Sequence, residues 1–337
     1  MAGTIPDFRN ILVIDFGQLG DVILSLPALG AIRERFPEAK ITLLIGKPGA
    51  DIVRIAGISD AQILVDRVEL RDGNKFKSIS KIFKLMRQIR SLKFDLVIDL
   101  HSLSETNILG FISGAKYRLY ANRENRSHDR LARFPTYPPK EDKSKHYTDR
   151  YFDALKPLEI GEYQHDFRLA PPAVNIIEIE QLFVELGVNG KQLVGLFVGA
   201  GHPSRCWSLD NFAALAMRLL DDPTRAVLVF LGPEEIHLLD KIHDIFPPSA
   251  IILDKLKLLP LMAASSKLDV LVTNDTGPMH LAAIAGSPIV LVSDRRAPDC
   301  FLPLTQNLSV LNDGTIDEIT VDQVADATLQ MLAKPRL

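Results

Sequence analysis

The sequence predicts an α/β protein of two domains, each built on a mainly parallel sheet. Three observations carry this. The chain has 337 residues, long for one open-sheet domain and sufficient for two of about 150 residues each. Short, near-continuous apolar runs alternate with helical stretches, as in parallel sheets covered on both faces. The alternation stops at a polar, Pro-rich stretch and then restarts.

In the first half, Ile11 to Asp15, Ile41 to Ile45, Gln62 to Val65 and Phe94 to Leu100 read as strands. Val22 to Phe36 reads as a helix interrupted near its start by Pro27. Phe76 to Leu92 repeats apolar residues at Phe76, Ile79, Ile82, Phe83, Met86 and Ile89, a helix stripe opposite a face of Lys and Arg. Ala121 to Arg150 breaks the rhythm and is expected to be irregular until a helix at His146 to Leu155. Glu159 to Pro172 reads as a linker ending in Ala170-Pro171-Pro172.

In the second half, Leu193 to Val198, Ala226 to Leu231, Ala250 to Leu253, Val270 to Thr273 and Ile289 to Val292 are expected strands. Asn211 to Leu220, Glu234 to Ile245, Leu258 to Ser265, Met279 to Ala285 and Val321 to Ala333 are expected helices. The domains are therefore placed at 1–172 and 173–315, with 316–337 as a terminal helix. Two such βα sets imply Rossmann-like domains facing an inter-domain cleft, with ligands beyond the carboxyl ends of the strands.

Composition excludes several classes. A net charge of −3 gives no global attraction to nucleic acid, so any anionic partner must be met locally. Cys206 and Cys300 form neither a disulfide framework nor a metal-binding spacing, which suits a reducing compartment. Met1 to Asn10 has no apolar signal core, and no apolar run approaches the ~18–20 residues of a membrane span. The expected location is cytoplasmic. Lys116 to Arg150 holds ten Lys/Arg against five Asp/Glu. That excess reads either as solvated surface or as a basic loop meeting an anionic acceptor or membrane headgroups.

Three strand-end segments can carry chemistry. In Gly17-Gln18-Leu19-Gly20-Asp21, Gly17 and Gly20 allow a tight turn and close backbone approach, ahead of a helix N-terminus that favours anions. Asp21 reads either as a helix N-cap carboxylate or as a base for an acceptor hydroxyl. In Asn274-Asp275-Thr276-Gly277-Pro278-Met279-His280, Pro278 suits the first helical position and Thr276 or Gly277 the cap. A diphosphate would fit that helix end, held by Thr276 and backbone N–H groups. Asp275 suits a ribose or loop donor, and His280 reads as a ligand contact or as a satisfied core histidine. In Val198 to Ser208, Arg205 is suited to clamp a phosphate; Trp207 reads as a packing anchor, and His202 as a loop residue. The chain has no Asp-x-Asp, GxxxxGK[ST], GxSxG or GxGxxG.

Together these segments resemble glycosyltransferase family 9, the lipopolysaccharide heptosyltransferases. The resemblance rests on Gly20-Asp21-Val22 with Leu26-Pro27-Ala28-Leu29, on Phe94 to His101, on Arg205-Cys206-Trp207, and above all on Asn274 to Ala283. It spans Ile11 to about Leu311 and implies a GT-B fold. By matching positions, Asp21 is the expected general base and Arg205 the diphosphate contact. Asp275, Thr276, Gly277 and His280 form the expected donor pocket. The resemblance implies inverting transfer without a metal or other cofactor, from ADP-heptose to a lipopolysaccharide-core or related glycan acceptor, with peripheral contact at the inner membrane. In GT-B proteins the last helix often returns to the first domain, as expected here of Val321 to Ala333. Two positions depart from the family: Asp15 stands where Lys or Arg is usual, predicting repulsion of a phosphorylated ligand, and Glu105-Thr106 replaces a basic-small pair. A non-catalytic sugar-nucleotide binder, a sugar-nucleotide epimerase and a dinucleotide oxidoreductase are the competing readings.

Overall fold

The computed structural model describes residues 6–66, 75–161, 163 and 165–334, with side chains of the helix at 75–91 described from Ile79 onward. The chain divides into two compact units, 1–164 and 165–337, so the division falls inside the stretch expected to be a linker and ahead of the expected boundary at 172.

The first unit holds five parallel strands: β1 (Asn10–Asp15), β2 (Lys40–Gly46), β3 (Ala61–Val65), β4 (Leu96–Asp99) and β5 (Tyr117–Tyr120). Their order is β3-β2-β1-β4-β5, with Ile11 opposite Ile41 on one side and Leu96 on the other. Both faces of β1 are buried from Ile11 to Asp15, which explains its unbroken apolar run. Helix α1 (Leu19–Arg35) runs through Pro27 without a break. Proline removes one backbone donor and crowds the preceding turn. The Leu24 carbonyl in that turn accepts the Thr148 hydroxyl at 2.8 Å, tying α1 to the later helix α5 (Tyr147–Leu155).

Helices α2 (Ala50–Ile55), α3 (Lys75–Ser91) and α4 (Ser104–Ile112) complete this unit. Ile89 is buried on α3, and Leu85 and Met86 pack partly buried against the same core. Phe76, expected on this stripe, has its side chain outside the described residues.

The second unit has six parallel strands: β6 (Gln192–Phe197), β7 (Arg225–Phe230), β8 (Ile251–Leu253), β9 (Val270–Asn274), β10 (Ile289–Val292) and β11 (Leu308–Leu311). Their order, β11-β10-β9-β6-β7-β8, repeats the pattern of the first sheet with one more strand. Its helices are α6 (Ala173–Glu185), α7 (Leu209–Leu220), α8 (Leu239–Ile245), α9 (Leu258–Lys267), α10 (Gly277–Ala285) and α11 (Val321–Leu332). Helix α11, expected to return to the first domain, packs within the second unit. Its Val324, Ala325, Ala327 and Met331 join the core formed by Val194, Val272 and Val290. The spacing places these residues on one face, and the sheet of its own unit covers that face.

In each sheet the strand order reverses beside the first strand of the unit, between β1 and β4 and between β6 and β9. Such switch points open a crevice at the carboxyl ends of the strands. The segments singled out from sequence lie at these ends.

Candidate active site

At the first switch point, Asp15 ends β1 and is fully buried. Its Oδ1 accepts the Gly17 N–H at 3.0 Å and its Oδ2 the Ser25 hydroxyl at 2.7 Å. Burial raises this carboxyl above the usual range, against those two donors and Arg123. Asp15 therefore builds the loop from within; it presents no surface charge to repel a phosphate. Glu105, the other departure, is exposed in the first turn of α4.

Gly17 has a steric reason. A Cβ there would stand 2.5 Å from the Asp21 Cβ and 3.1 Å from Asp15 Oδ1. Gly20 occupies the second position of α1, and Asp21 the third. Asp21 is half-buried, and its Oδ2 accepts the Gln18 N–H at 3.0 Å. Gln18, not Asp21, is the N-cap; Asp21 stands at N3, and its carboxylate accepts the N–H of the N-cap residue as in a capping box. That bond fixes one oxygen and with it the rotamer, a useful property in a base.

Across the switch point, Asp99 ends β4 and is also fully buried. It accepts the Ser102 N–H and the Asn107 amide, both at 2.7 Å. Burial pushes its carboxyl up to about 6 despite these donors and Arg123. Arg123, 5% exposed, donates to the Tyr147 hydroxyl at 3.1 Å and lies 3.4 Å from Glu141. A buried cation thus arrives from the loop after β5, although the end of β1 has none. Sequence reading missed it within a generally basic segment.

That segment also spends its charges internally. Arg118 donates to the Leu131 and Ala115 carbonyls, Arg150 to those of Lys145 and Lys143, and Lys145 pairs with Asp153. These cations fasten an irregular loop, while Arg126, Arg130, Arg133 and Lys143 of the same segment are exposed.

At the second switch point, Asn274 joins the two strand-end loops. Buried completely, it donates to the Val198 and Gly199 carbonyls at 3.1 and 3.2 Å and accepts the Trp207 N–H at 2.9 Å. Trp207 is a packing anchor, as expected. Its Nε1 donates to the Ile319 carbonyl at 2.8 Å, and its ring meets Phe212 edge-on at 5.0 Å. His202 caps a short 3-10 turn by accepting the Ser204 N–H, which is a loop role.

These anchors bring Arg205 to Asp275, with Nη1 3.5 Å from Oδ2. Both line a pocket of about 170 Å³ with Ser204, Ser293, Asp294 and Arg296. Arg296, from the loop after β10, pairs with Asp294 through two nitrogens at 2.7 and 2.9 Å and holds that carboxyl well below the usual range. Burial raises the Asp275 carboxyl, and Arg205 opposes the rise. The pocket thus contains two cations, each held by a carboxylate. Arg296 was not singled out from sequence because its loop has neither periodicity nor a recognised motif.

Thr276 is the N-cap of α10, Gly277 its first residue and Pro278 its second, one position later than expected for the proline. Residues 275–278 are half-buried, whereas His280 is 4% exposed, one turn inside the helix. Arg205, Asp275, Thr276 and Gly277 thus gather at one helix end with His280 behind them; Asp21 belongs to the first unit. A further carboxylate emerges at the end of β7. Glu235 is buried, accepts the Gly232 N–H at 2.9 Å, and would lie 2.0 Å from a Cβ at Gly199. The glycine after β6 therefore makes room for a side chain rather than for a turn.

The family profile of glycosyltransferase family 9 (heptosyltransferase) matches residues 82–323. The chain belongs to glycosyltransferase family 9. It is a glycosyltransferase, and its architecture is GT-B. It is 20% identical over 288 residues to the lipopolysaccharide core heptosyltransferase OpsX of Haemophilus influenzae, covering 84% of this chain and 78% of the relative. The crystal structure of the family 9 glycosyl transferase of Veillonella parvula superposes with a TM-score of 0.84 at 24% identity, covering 97% of both chains. That of Escherichia coli heptosyltransferase WaaC with ADP superposes with a TM-score of 0.74 at 18% identity, covering 96% of this chain and all of the other. Membership of this family decides against the oxidoreductase and epimerase readings.

Proposed function

We propose that this glycosyltransferase moves a heptose from ADP-heptose to a lipopolysaccharide-core or related glycan, inverting the anomeric centre without a metal ion. The observation that carries the donor half is the pocket at the second switch point, which Arg205 and Arg296 line together with Asp275, the residue before the N-cap of α10. Two guanidinium groups and a helix end suit a diphosphate. ADP and heptose come from the relatives: one structure of similar fold holds ADP, and OpsX is a heptosyltransferase.

In the proposed reaction, an acceptor hydroxyl oxygen attacks the anomeric carbon. The bond from that carbon to the diphosphate oxygen breaks on the opposite face, and the hydroxyl proton passes to Asp21. The leaving diphosphate takes the bond's electron pair, and Arg205 and Arg296 neutralise its growing charge. Thr276 and the Gly277 N–H bind its oxygens, and Asp275 hydrogen-bonds the ribose or the loop. His280 supports this helix turn from behind. Gly17 and Gly20 let the acceptor approach the backbone next to Asp21. Such preorganised donors are each worth roughly 3–4 kcal/mol in the transition state.

Thermal unfolding with ADP, UDP and GDP in the presence of EDTA tests the donor. At 100 times its dissociation constant a ligand stabilises by about 2.7 kcal/mol. Stabilisation by ADP but not by UDP or GDP is expected. UDP or GDP acting instead would reassign the nucleotide, and a requirement for divalent metal would remove the metal-free mechanism.

A further inference from the structure

The start of α5 carries a fixed hydroxyl that the proposed reaction leaves unused. Tyr147, the first residue of that helix, is half-buried. Its hydroxyl accepts an N–H of the buried Arg123 at 3.1 Å. Two guanidinium groups approach its ring, Arg123 at 5.6 Å and Arg150 at 5.2 Å from the ring centre, and Tyr151 meets it edge-on at 5.1 Å. Glu141 lies 3.4 Å from Arg123 and 3.8 Å from Arg150, so it holds both cations in place. A ring enclosed in this way has its hydroxyl fixed in direction.

Helix α5 is also pinned to α1. The two are in contact, and the Thr148 hydroxyl bonds the Leu24 carbonyl at 2.8 Å. Leu24 lies three residues after Asp21, so the two are neighbours on the surface of α1. Tyr147 therefore begins its helix about one turn of α1 away from the Asp21 carboxylate. Burial raises the Tyr147 hydroxyl above its usual range; Arg123 opposes the rise, and the negative charges of Asp21 and Asp15 add to it. The buried Tyr151 is acted on by the same two carboxylates and by Arg123. The groups facing Tyr147 are thus Asp15 from β1, Asp21 from α1, Arg123 from the loop after β5, and Arg150 and Tyr151 from α5 itself.

With its oxygen accepting from Arg123, the hydroxyl turns its own proton away from that cation. The guanidinium also polarises the O–H bond and makes it a stronger donor. A cation set directly against a carboxylate strongly lowers its affinity for a proton, which would weaken a base. A neutral phenol between the two orients the carboxylate and passes on only part of the field. We propose that Tyr147 is a positioning residue for Asp21: its hydroxyl, aimed by Arg123, donates a hydrogen bond to the Asp21 carboxylate, directly or through one water. The catalytic consequence rests on Asp21 being the base; the hydrogen bond itself does not.

The test is a pH titration of the full chain with isotope-labelled aspartate carboxyls, read by NMR, the Asp21 signal being the one lost in Asp21→Asn. Tyr147→Phe keeps the ring and its guanidinium contacts, so its unfolding midpoint should stay near the parent value. In that variant the titration midpoint of Asp21 should rise by about half to one pH unit, the equivalent of one hydrogen bond to the ionised form. With ADP-heptose and a deacylated lipopolysaccharide core as substrates, the acid limb of kcat/KM should move up by the same amount, and Tyr147→Phe should have no further effect in the Asp21→Asn background. An Asp21 midpoint unchanged in Tyr147→Phe would overturn the proposal. So would a raised acceptor KM with the acid limb unmoved, which would make Tyr147 an acceptor contact. Parental turnover in Asp21→Asn would overturn the base reading, and the catalytic consequence with it, whatever the NMR titration gives, so the two failures are told apart.

Discussion

The two sheets share a strand order but use the charges at their switch points in opposite ways. In the first unit, Asp15 and Asp99 are fully buried and hold Gly17, Ser25, Ser102 and Asn107, with Arg123 as the nearby cation. In the second, Arg205 and Arg296 have side chains 61% and 78% exposed and line a pocket. Neutral Asn274 does there the internal fastening that carboxylates do in the first unit. One switch point spends its charge on shape, leaving Asp21 as the half-buried carboxylate at the loop; the other leaves its charges exposed along a pocket. An ionised residue at a strand end is therefore not by itself a sign of ligand binding. What distinguishes the two points is burial: the carboxylates of the first are enclosed by their own loops, whereas the arginines of the second, though each is paired, stay more than half exposed at a pocket.

The largest effect expected from this contrast is at Asp21. Asp21→Asn keeps an oxygen to accept the Gln18 N–H, so the unfolding midpoint should barely move, while turnover falls about 10²–10⁴-fold, the range for loss of a general base. Near-parental turnover would make Asp21 a capping-box residue and nothing more. Next come the pocket arginines. Arg205→Ala and Arg296→Ala should each lower kcat/KM by roughly 10²-fold or more, with little loss of stability, because solvent screens exposed ion pairs. If Arg296→Ala leaves kinetics unchanged, that arginine serves Asp294 and its loop, and the two switch points are more alike than proposed.

Much of this arrangement is legible in the sequence because its physics is local. The runs Ile11 to Asp15 and Val270 to Thr273 show buried parallel strands directly, and Asn274 to His280 shows a strand passing into a helix N-terminus. Other features depend on partners remote in the chain. β5 is only Tyr-Arg-Leu-Tyr, and Arg118 looks like surface until its guanidinium is seen to donate to the Ala115 carbonyl before the strand and the Leu131 carbonyl of the loop after it. β11 is half-buried throughout, so it lacks the apolar run of an inner strand. Asn274 was read with the ligand loop, yet its three bonds reach residues 67 to 76 positions away. Asp15 was read as an outward charge, because sequence cannot show that Ser25 and Gly17 meet it from inside. Only the resemblance points helix α11 toward the other unit; its Val324 to Met331 face matches the sheet of its own unit.

The smallest effect concerns the cost of the buried carboxylates. Asp99 has its folded value raised to about 6 from an ordinary value near 3.8. Between these values the folded protein binds the proton more tightly than the unfolded chain. Stability contributed by protonated Asp99 is therefore fully present below about pH 4 and is lost as pH rises through about 6. A shift of about two units corresponds to roughly 3 kcal/mol at most. Asp99→Asn removes this titration, though it also turns one acceptor into a donor facing Asn107 and so carries a constant penalty. The quantity to measure is the difference in unfolding free energy between Asp99→Asn and parent from pH 4 to 7.5. It should move in favour of the variant by about 2–3 kcal/mol across that window and be flat above it. A flat difference throughout would mean that Arg123 neutralises Asp99 fully, making the first switch point a compensated ion network rather than one that tolerates strained carboxylates to hold its loops.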